Sequence, residues 1–342
     1  MASPEEPPSS PLSLELVRRS CRVIILLACG LIPSSLSAQA WLFPQGEGSV
    51  SFYSQYLYTN QHASYTGQTF NLGQIYSQSL IMDTDYSLTN KLAVRVALPY
   101  IFAKYDGTHP HPTTPDNGDW HSTFQNFTAD LRYNVSARPV VFTPFVRLVI
   151  PSHDYEYFAH AAVGRDLREY HVGFNIARRL DPILPKAFLQ AQYSYAFVER
   201  VLNIAPNRSN VDAQIGYFLT PSLTLLGSTQ WIHTYNGVNV NFDLPQAGLT
   251  GEQWIHHDQI SGSTLLDVGG GFSFAVNRKV EMFVSFARSV EGANGHLHDA
   301  LVTIGVSRTF STKFGAENAS TATVGQGMPA PNQAIVCTCA RK

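Results

Sequence analysis

Residues 301–310 read LVTIGVSRTF. Val302, Ile304, Val306 and Phe310 recur at period two on one side, and Thr303, Gly305, Ser307 and Thr309 fall on the other. Successive strand residues point to opposite faces, so this stretch reads as a strand with one apolar face and one small, polar face. It ends on an aromatic residue, just before the composition turns to Ser, Thr, Ala, Gly and Pro. A strand of this kind, last in its series, is expected to close a membrane β-barrel.

The same alternation recurs upstream in eleven further segments: 49–59, 77–88, 91–103, 123–135, 140–150, 167–177, 187–198, 209–218, 223–232, 263–274 and 280–289. The resulting count of twelve is even. Short connections near Asn90, Arg138, Asp181, Pro221 and Asn277 alternate with six long ones rich in Pro, Gly, His and Asp. Even number, short periplasmic turns and long extracellular loops are the signature of an outer-membrane barrel. A secreted β-sandwich also alternates, but gives no reason for long and short loops to take turns. The expected fold is therefore all-β: a transmembrane antiparallel up-and-down barrel of about twelve strands over residues 41–310. Pro144 lies inside the fifth segment, where it removes a ladder donor, so a bulge is expected there.

Composition narrows the function. The chain has 342 residues and a formal net charge of −2, which does not suggest a nucleic-acid partner. Charged residues make up 14%, low against the ~25% of soluble domains. Mean hydropathy is −0.07, and after residue 40 no run approaches the ~18 apolar residues of a spanning helix.

Residues 1–40 read as a secretory signal. Arg18, Arg19 and Arg22 precede the apolar run VIILLACGLI (23–32), Pro33 breaks it, and Ala38-Gln39-Ala40 is a small-x-small cleavage site. The mature chain is expected to start at Trp41. Glu5 and Glu6 are unusual in such a region, so translation is expected to start later, near Val17. Cys21 and Cys29 lie in the signal, while Cys337 and Cys339 lie in the tail. The barrel therefore has no disulfide framework and no thiolate metal site. Residues 311–342 are polar and expected to be a disordered periplasmic tail.

If the apolar faces meet lipid, the opposite faces line a lumen. They carry Asp83, Asp85, Arg95, Asp130, Arg132, Arg147, Glu169, His171, Asp212, Asp267 and Glu281. One reading is a structural network, with Arg95 against Asp83 or Asp85, and Arg132 or Arg147 against Asp130 or Glu169, because buried charges must be paired. The other is a polar path whose excess of acids favours cations or neutral molecules. The two can coexist. The loops also carry His109-Pro110-His111, His153-Asp154, His256-His257-Asp258 and His296-Leu297-His298-Asp299. Imidazoles and carboxylates suit a divalent metal. Adjacent and i,i+2 histidines in loops are more often solvated, so spacing alone assigns neither metal nor cofactor. His62-Ala63-Ser64 invites a lipase reading, but no third partner is identifiable.

GEGSVSF (46–52), DYSLTNKLAVRVALPY (85–100) and the repeated strand–turn–strand layout resemble the outer-membrane transporters grouped as the "MetA-pathway of phenol degradation" family. The resemblance covers most of residues 41–310 and implies a barrel passing hydrophobic or aromatic small molecules. It supplies no binding residues. The expected function is a channel or transporter for small solutes in outer-membrane lipid. Its rivals are a barrel enzyme acting on lipid and a purely structural or adhesive barrel. The closing strand also resembles the polar-x-Gly-x-x-hydrophobic-x-aromatic signal of barrel C-termini through Thr303, Gly305 and Phe310, which implies the barrel-assembly machinery as a partner. Arg308 departs from that pattern, and its long stem could reach the headgroups.

Overall fold

A computed structural model describes residues 40–312. Residues 1–39 of the expected signal, Ala38 among them, and residues 313–342 of the expected tail lie outside the described residues. Twelve antiparallel strands close into one barrel. In chain order they are β1 (Glu47–Thr59), β2 (Gln74–Ser87), β3 (Leu92–Asp106), β4 (His121–Phe124 continued by Asn126–Tyr133), β5 (Val141–Pro151), β6 (Glu169–Arg179), β7 (Ala187–Val198), β8 (Arg208–Phe218), β9 (Leu223–Thr234), β10 (Thr264–Ala275), β11 (Val280–Ala293) and β12 (Ala300–Ser311). Each pairs with its sequence neighbour, and β12 returns to β1 in an unbroken register from Glu47↔Ser311 to Tyr58↔Ala300. Closure leaves the barrel no edge strand.

The burial pattern is inverted relative to a water-soluble protein. Phe52, Leu80, Met82, Leu131, Val146, Tyr170, Val172, Ile215, Val268, Met282 and Ile304 are exposed, while Asp85, Asp130, Arg132, Glu169, Asn175, Gln192 and Asp267 are buried. A continuous apolar outer surface over a polar interior is stable only where hydrocarbon covers it.

The bulge expected inside the fifth segment at Pro144 is absent from that strand, and the irregularity falls on its neighbour. Pro144 keeps its place opposite Phe174, and the β5–β6 register runs through it without a break. On the other side, Arg132 pairs with Phe145 whereas Ser136 bridges Phe142, so the β4 side takes one extra residue there. Pro99 in β3 has the same effect. Tyr100 pairs with Phe124 but Ala97 with Thr128, and the extra residue falls at Gln125, which divides β4 in two. A proline offers no N–H to its partner, and β4, lying between the two proline strands, absorbs both slips.

The two ends differ. Short turns join strands at one end, where residues 40–43 enter the mouth; Ala40, Val141 and Ala177 cluster there with Trp41 packed on them. The long loops at the other end fold into a lid. A three-stranded sheet of Gln61–Ala63, Thr69–Phe70 and Gly295–Leu297 lies beside two short helices, Gly251–Ile255 and His257–Ile260. Thr250 caps the first of these in a reciprocal box with Gln253. Ile75, Ile101, Ala103, Tyr105 and Ala161 form a small apolar core under the lid.

Candidate functional site

Register assembles the interior. Asp85 lies opposite Arg95, Arg95 opposite Asp130, Asp130 opposite Arg147, and Arg147 opposite His171. Five charged or titratable residues far apart in sequence thus form one lateral row across β2 to β6, all on the inward face. Arg95 holds Asp83 through its Nε, 3.0 and 2.9 Å from the two carboxylate oxygens, and a second guanidinium nitrogen also reaches that carboxylate. It also sits 3.6 Å from Asp130. Arg147 grips Asp130 bidentately at 2.7 and 2.8 Å and donates to Gln192 at 3.2 Å. Planar guanidinium forks match carboxylates in this way, which fixes geometry as well as charge.

Two expected pairings come out differently. Arg132 pairs with Asp85 rather than with Asp130 or Glu169, because β3, lying between their strands, brings those two side chains together. Glu169, near the lid, takes Arg208 at 2.5 Å, Arg165 at 2.9 Å and His171 at 3.0 Å. Neither Arg165 nor Arg208 stood out in the sequence, since one is in a loop and the other at a strand end.

The opposite wall carries few charges. Asp212 accepts from Gln230 at 2.7 Å and Gln192 at 3.5 Å, and Gln190 donates to Gln214 at 2.7 Å. Asp267 accepts from Ser289 Oγ and His298 Nδ1, each at 2.7 Å. Glu281 is half-buried, opposite Ser307. A cavity of about 20 Å³, room for about one water, lies against this wall among Asp212, Gln214, Ser228, Gln230, Asp267 and Gly269. One side of the barrel is therefore filled by an ionic ladder, and the other is lined by amides, hydroxyls and glycine.

Inward aromatics narrow the short-turn half. Phe145, Phe188 and Phe283 are buried, and each faces a glycine as its register partner, Gly173, Gly216 and Gly305. A Cβ at Gly305 would lie 2.4 Å from both Phe283 Cζ and Tyr53 Cβ, so that glycine seats two rings. Thr303 accepts from Gln55 at 3.2 Å on the same inner face. Phe310 is on the outer face, stacked on Tyr86 at 6.0 Å across Gly48. At the mouth, Thr143 donates to the Ala40 carbonyl at 2.7 Å, and Trp41 packs edge-on against Phe188 at 6.0 Å.

The loop histidines correct an expectation. Solvated imidazoles were anticipated, yet His62, His111, His160 and His257 are buried together under the lid. The apolar loop segment YFAHAAV (157–163) around His160 was the signal available for this. His62 meets His160 at 3.3 Å, whereas the Ser64 hydroxyl bonds Thr66 at 2.9 Å, so His62 and Ser64 do not form a nucleophile–base pair.

Neither a protein-family model nor a curated protein matches the sequence. Among solved structures, the chain is similar to the COG4313 outer membrane channel from Pseudomonas putida F1, with a TM-score of 0.62 at 15% identity, covering 81% of this chain and 100% of that one. The barrel fold is shared. The NanC porin aligns less well, with a TM-score of 0.47 at 8% identity over 76% of this chain and 98% of that one. The TodX monoaromatic hydrocarbon channel aligns at 0.41 and 8% identity, over 79% and 91%.

Proposed function

We propose that the chain is an outer-membrane channel for small solutes and not an enzyme. The observation that carries this reading is the asymmetry of the interior. The ladder from Asp83 to Arg147 is internally neutralised and narrows one side, while the Asp212–Asp267 wall keeps short polar side chains and a cavity. A path along that wall offers hydrogen bonds without a fixed positive charge, which suits neutral or cationic solutes. The barrel shared with the Pseudomonas channel supports the reading. Passage of hydrophobic or aromatic molecules follows from the resemblance to the phenol-degradation transporters. Reconstituted full-length chain is expected to give discrete conductance steps in planar bilayers and to let liposomes swell in small sugars and small phenols. Folded protein that neither conducts nor passes any such solute would overturn the proposal.

The export signal is proposed to end at Ala40, with the short-turn end in the periplasm. Cleavage there removes Ala40, and with it the Thr143 hydrogen bond, and leaves the new amino terminus, Trp41, packed against Phe188. Amino-terminal sequencing of chain extracted from outer membranes is expected to begin at Trp41. A start upstream of Ala40 would refute the assignment.

A further inference from the structure

We propose that the lid binds one divalent transition-metal ion of the zinc type on a tripod of His62, His160 and His296. His62 and His296 are register partners in the lid sheet, so their side chains leave it on the same face, with ring centroids 4.3 Å apart. His160 comes from the loop between β5 and β6 and sets Nδ1 3.3 Å from His62 Nε2. Ligand nitrogens of all three lie within 4.8 Å of one another. Two nitrogens held tetrahedrally by zinc at ~2.0–2.1 Å stand about 3.3–3.4 Å apart. The His62–His160 pair is therefore already at ligand spacing.

Proton placement points the same way. His160 Nε2 faces the His109 carbonyl at 3.1 Å. A carbonyl only accepts, so Nε2 carries the proton and Nδ1 presents a bare lone pair to His62. His62 is 1% exposed, and its Nδ1 has no hydrogen-bond partner. With Nε2 protonated, a buried acceptor is orphaned at Nδ1. With Nδ1 protonated, a buried donor is orphaned and two lone pairs face each other. A cation held between His62 Nε2 and His160 Nδ1 takes up both lone pairs at once.

The surroundings are built to hold this arrangement. Asp116 accepts from the amides of His111, His160 and Ala161 at 2.9, 3.0 and 2.9 Å, and from His111 Nδ1 at 3.0 Å. Its carboxylate is thus fully engaged in fixing the His160 backbone. It also fixes the His111 tautomer, leaving a buried, unpartnered Nε2 beside His160. A second triad, His111–Asp116–His160, shares His160 with the first, so one ion is expected rather than two. The metal would tie the first, third and sixth long loops together over the mouth.

The test uses untagged full-length chain in detergent, stripped with EDTA, dialysed, and titrated with Zn²⁺ by calorimetry and with Co²⁺ by visible absorption. Wild type is expected to bind one Zn²⁺ and to give the intense Co²⁺ bands of a tetrahedral nitrogen site. His62→Gln and His160→Gln should each weaken binding by more than the ~10–100-fold that losing an outer partner costs. His153→Gln, an exposed histidine outside the cluster, should bind as wild type. Heat-modifiable gel mobility checks folding, and if His160→Gln does not fold, the half-buried His296→Gln serves in its place. Failure of folded wild type to bind stoichiometrically, or binding unchanged in these tripod variants, would overturn the proposal.

Discussion

Arg95→Met is expected to destabilise the barrel by about 3–5 kcal/mol and to raise its conductance, because it leaves the buried Asp83 carboxylate without its partner. Arg95 is the joint of the ladder, touching Asp83 along one side and Asp130 along the other. The Asp83 side chain is 11% exposed, so it recovers little solvation when the guanidinium is removed, whereas Asp130 keeps its bidentate pair with Arg147. The urea midpoint of the folded band in liposomes reads the first effect, and single-channel recording reads the second. Adding Asp83→Asn to Arg95→Met should restore much of the stability while leaving the conductance high, since the cost lies in the uncompensated Asp83 charge and the narrowing in the guanidinium itself. An Arg95→Met barrel as stable as wild type would mean that the row is solvated and the ladder is not what fills the lumen.

Gly305→Ala and Phe310→Ala should fail at different stages. Both residues fall in the closing-strand pattern that resembles an assembly signal, but they occupy opposite faces. A methyl group at Gly305 meets Phe283 and Tyr53 inside the barrel, and overpacking of that kind costs about 1–3 kcal/mol. Phe283→Leu in the same chain should relieve it. Phe310→Ala removes an outer ring stacked on Tyr86, worth about 0.5–1.5 kcal/mol, and leaves the interior intact. We therefore expect Gly305→Ala to lower the unfolding midpoint of refolded protein. Phe310→Ala should barely move that midpoint but reduce the amount of chain reaching the outer membrane several-fold in cells. Equal outer-membrane levels of Phe310→Ala and wild type would show that the signal lies elsewhere. Failure of Phe283→Leu to rescue Gly305→Ala would show that ring packing is not the reason for the glycine.

The strands were legible because period-two alternation survives wherever one face meets lipid and the other does not. Ala187–Val198 was located to the residue, and the remaining boundaries to within a few residues. Pairing partners were less legible. Arg95 with Asp83 and Arg147 with Asp130 were among the expected pairs, whereas Arg132 with Asp85 was not. Proximity in sequence does not encode the lateral neighbour, and a slip of one residue moves a side chain to the other face. The slips at Gln125 and beside Pro144 are of this kind: the prolines announce a fault, but not which strand takes it. Loop histidines were misjudged for a related reason. Local spacing describes each loop alone, and the buried group draws from five separate connections.

From residues 301–310 and their eleven counterparts, the sequence alone determined the strand count and the closing strand, because period-two alternation follows from local stereochemistry and the solvent on each side. Tertiary structure alone decided which charges neutralise one another, which glycines carry rings, and that the histidines of the lid share one buried site. Those are outcomes of register and of loops folding against each other, where contacts close over tens to hundreds of residues and no short-range pattern records them.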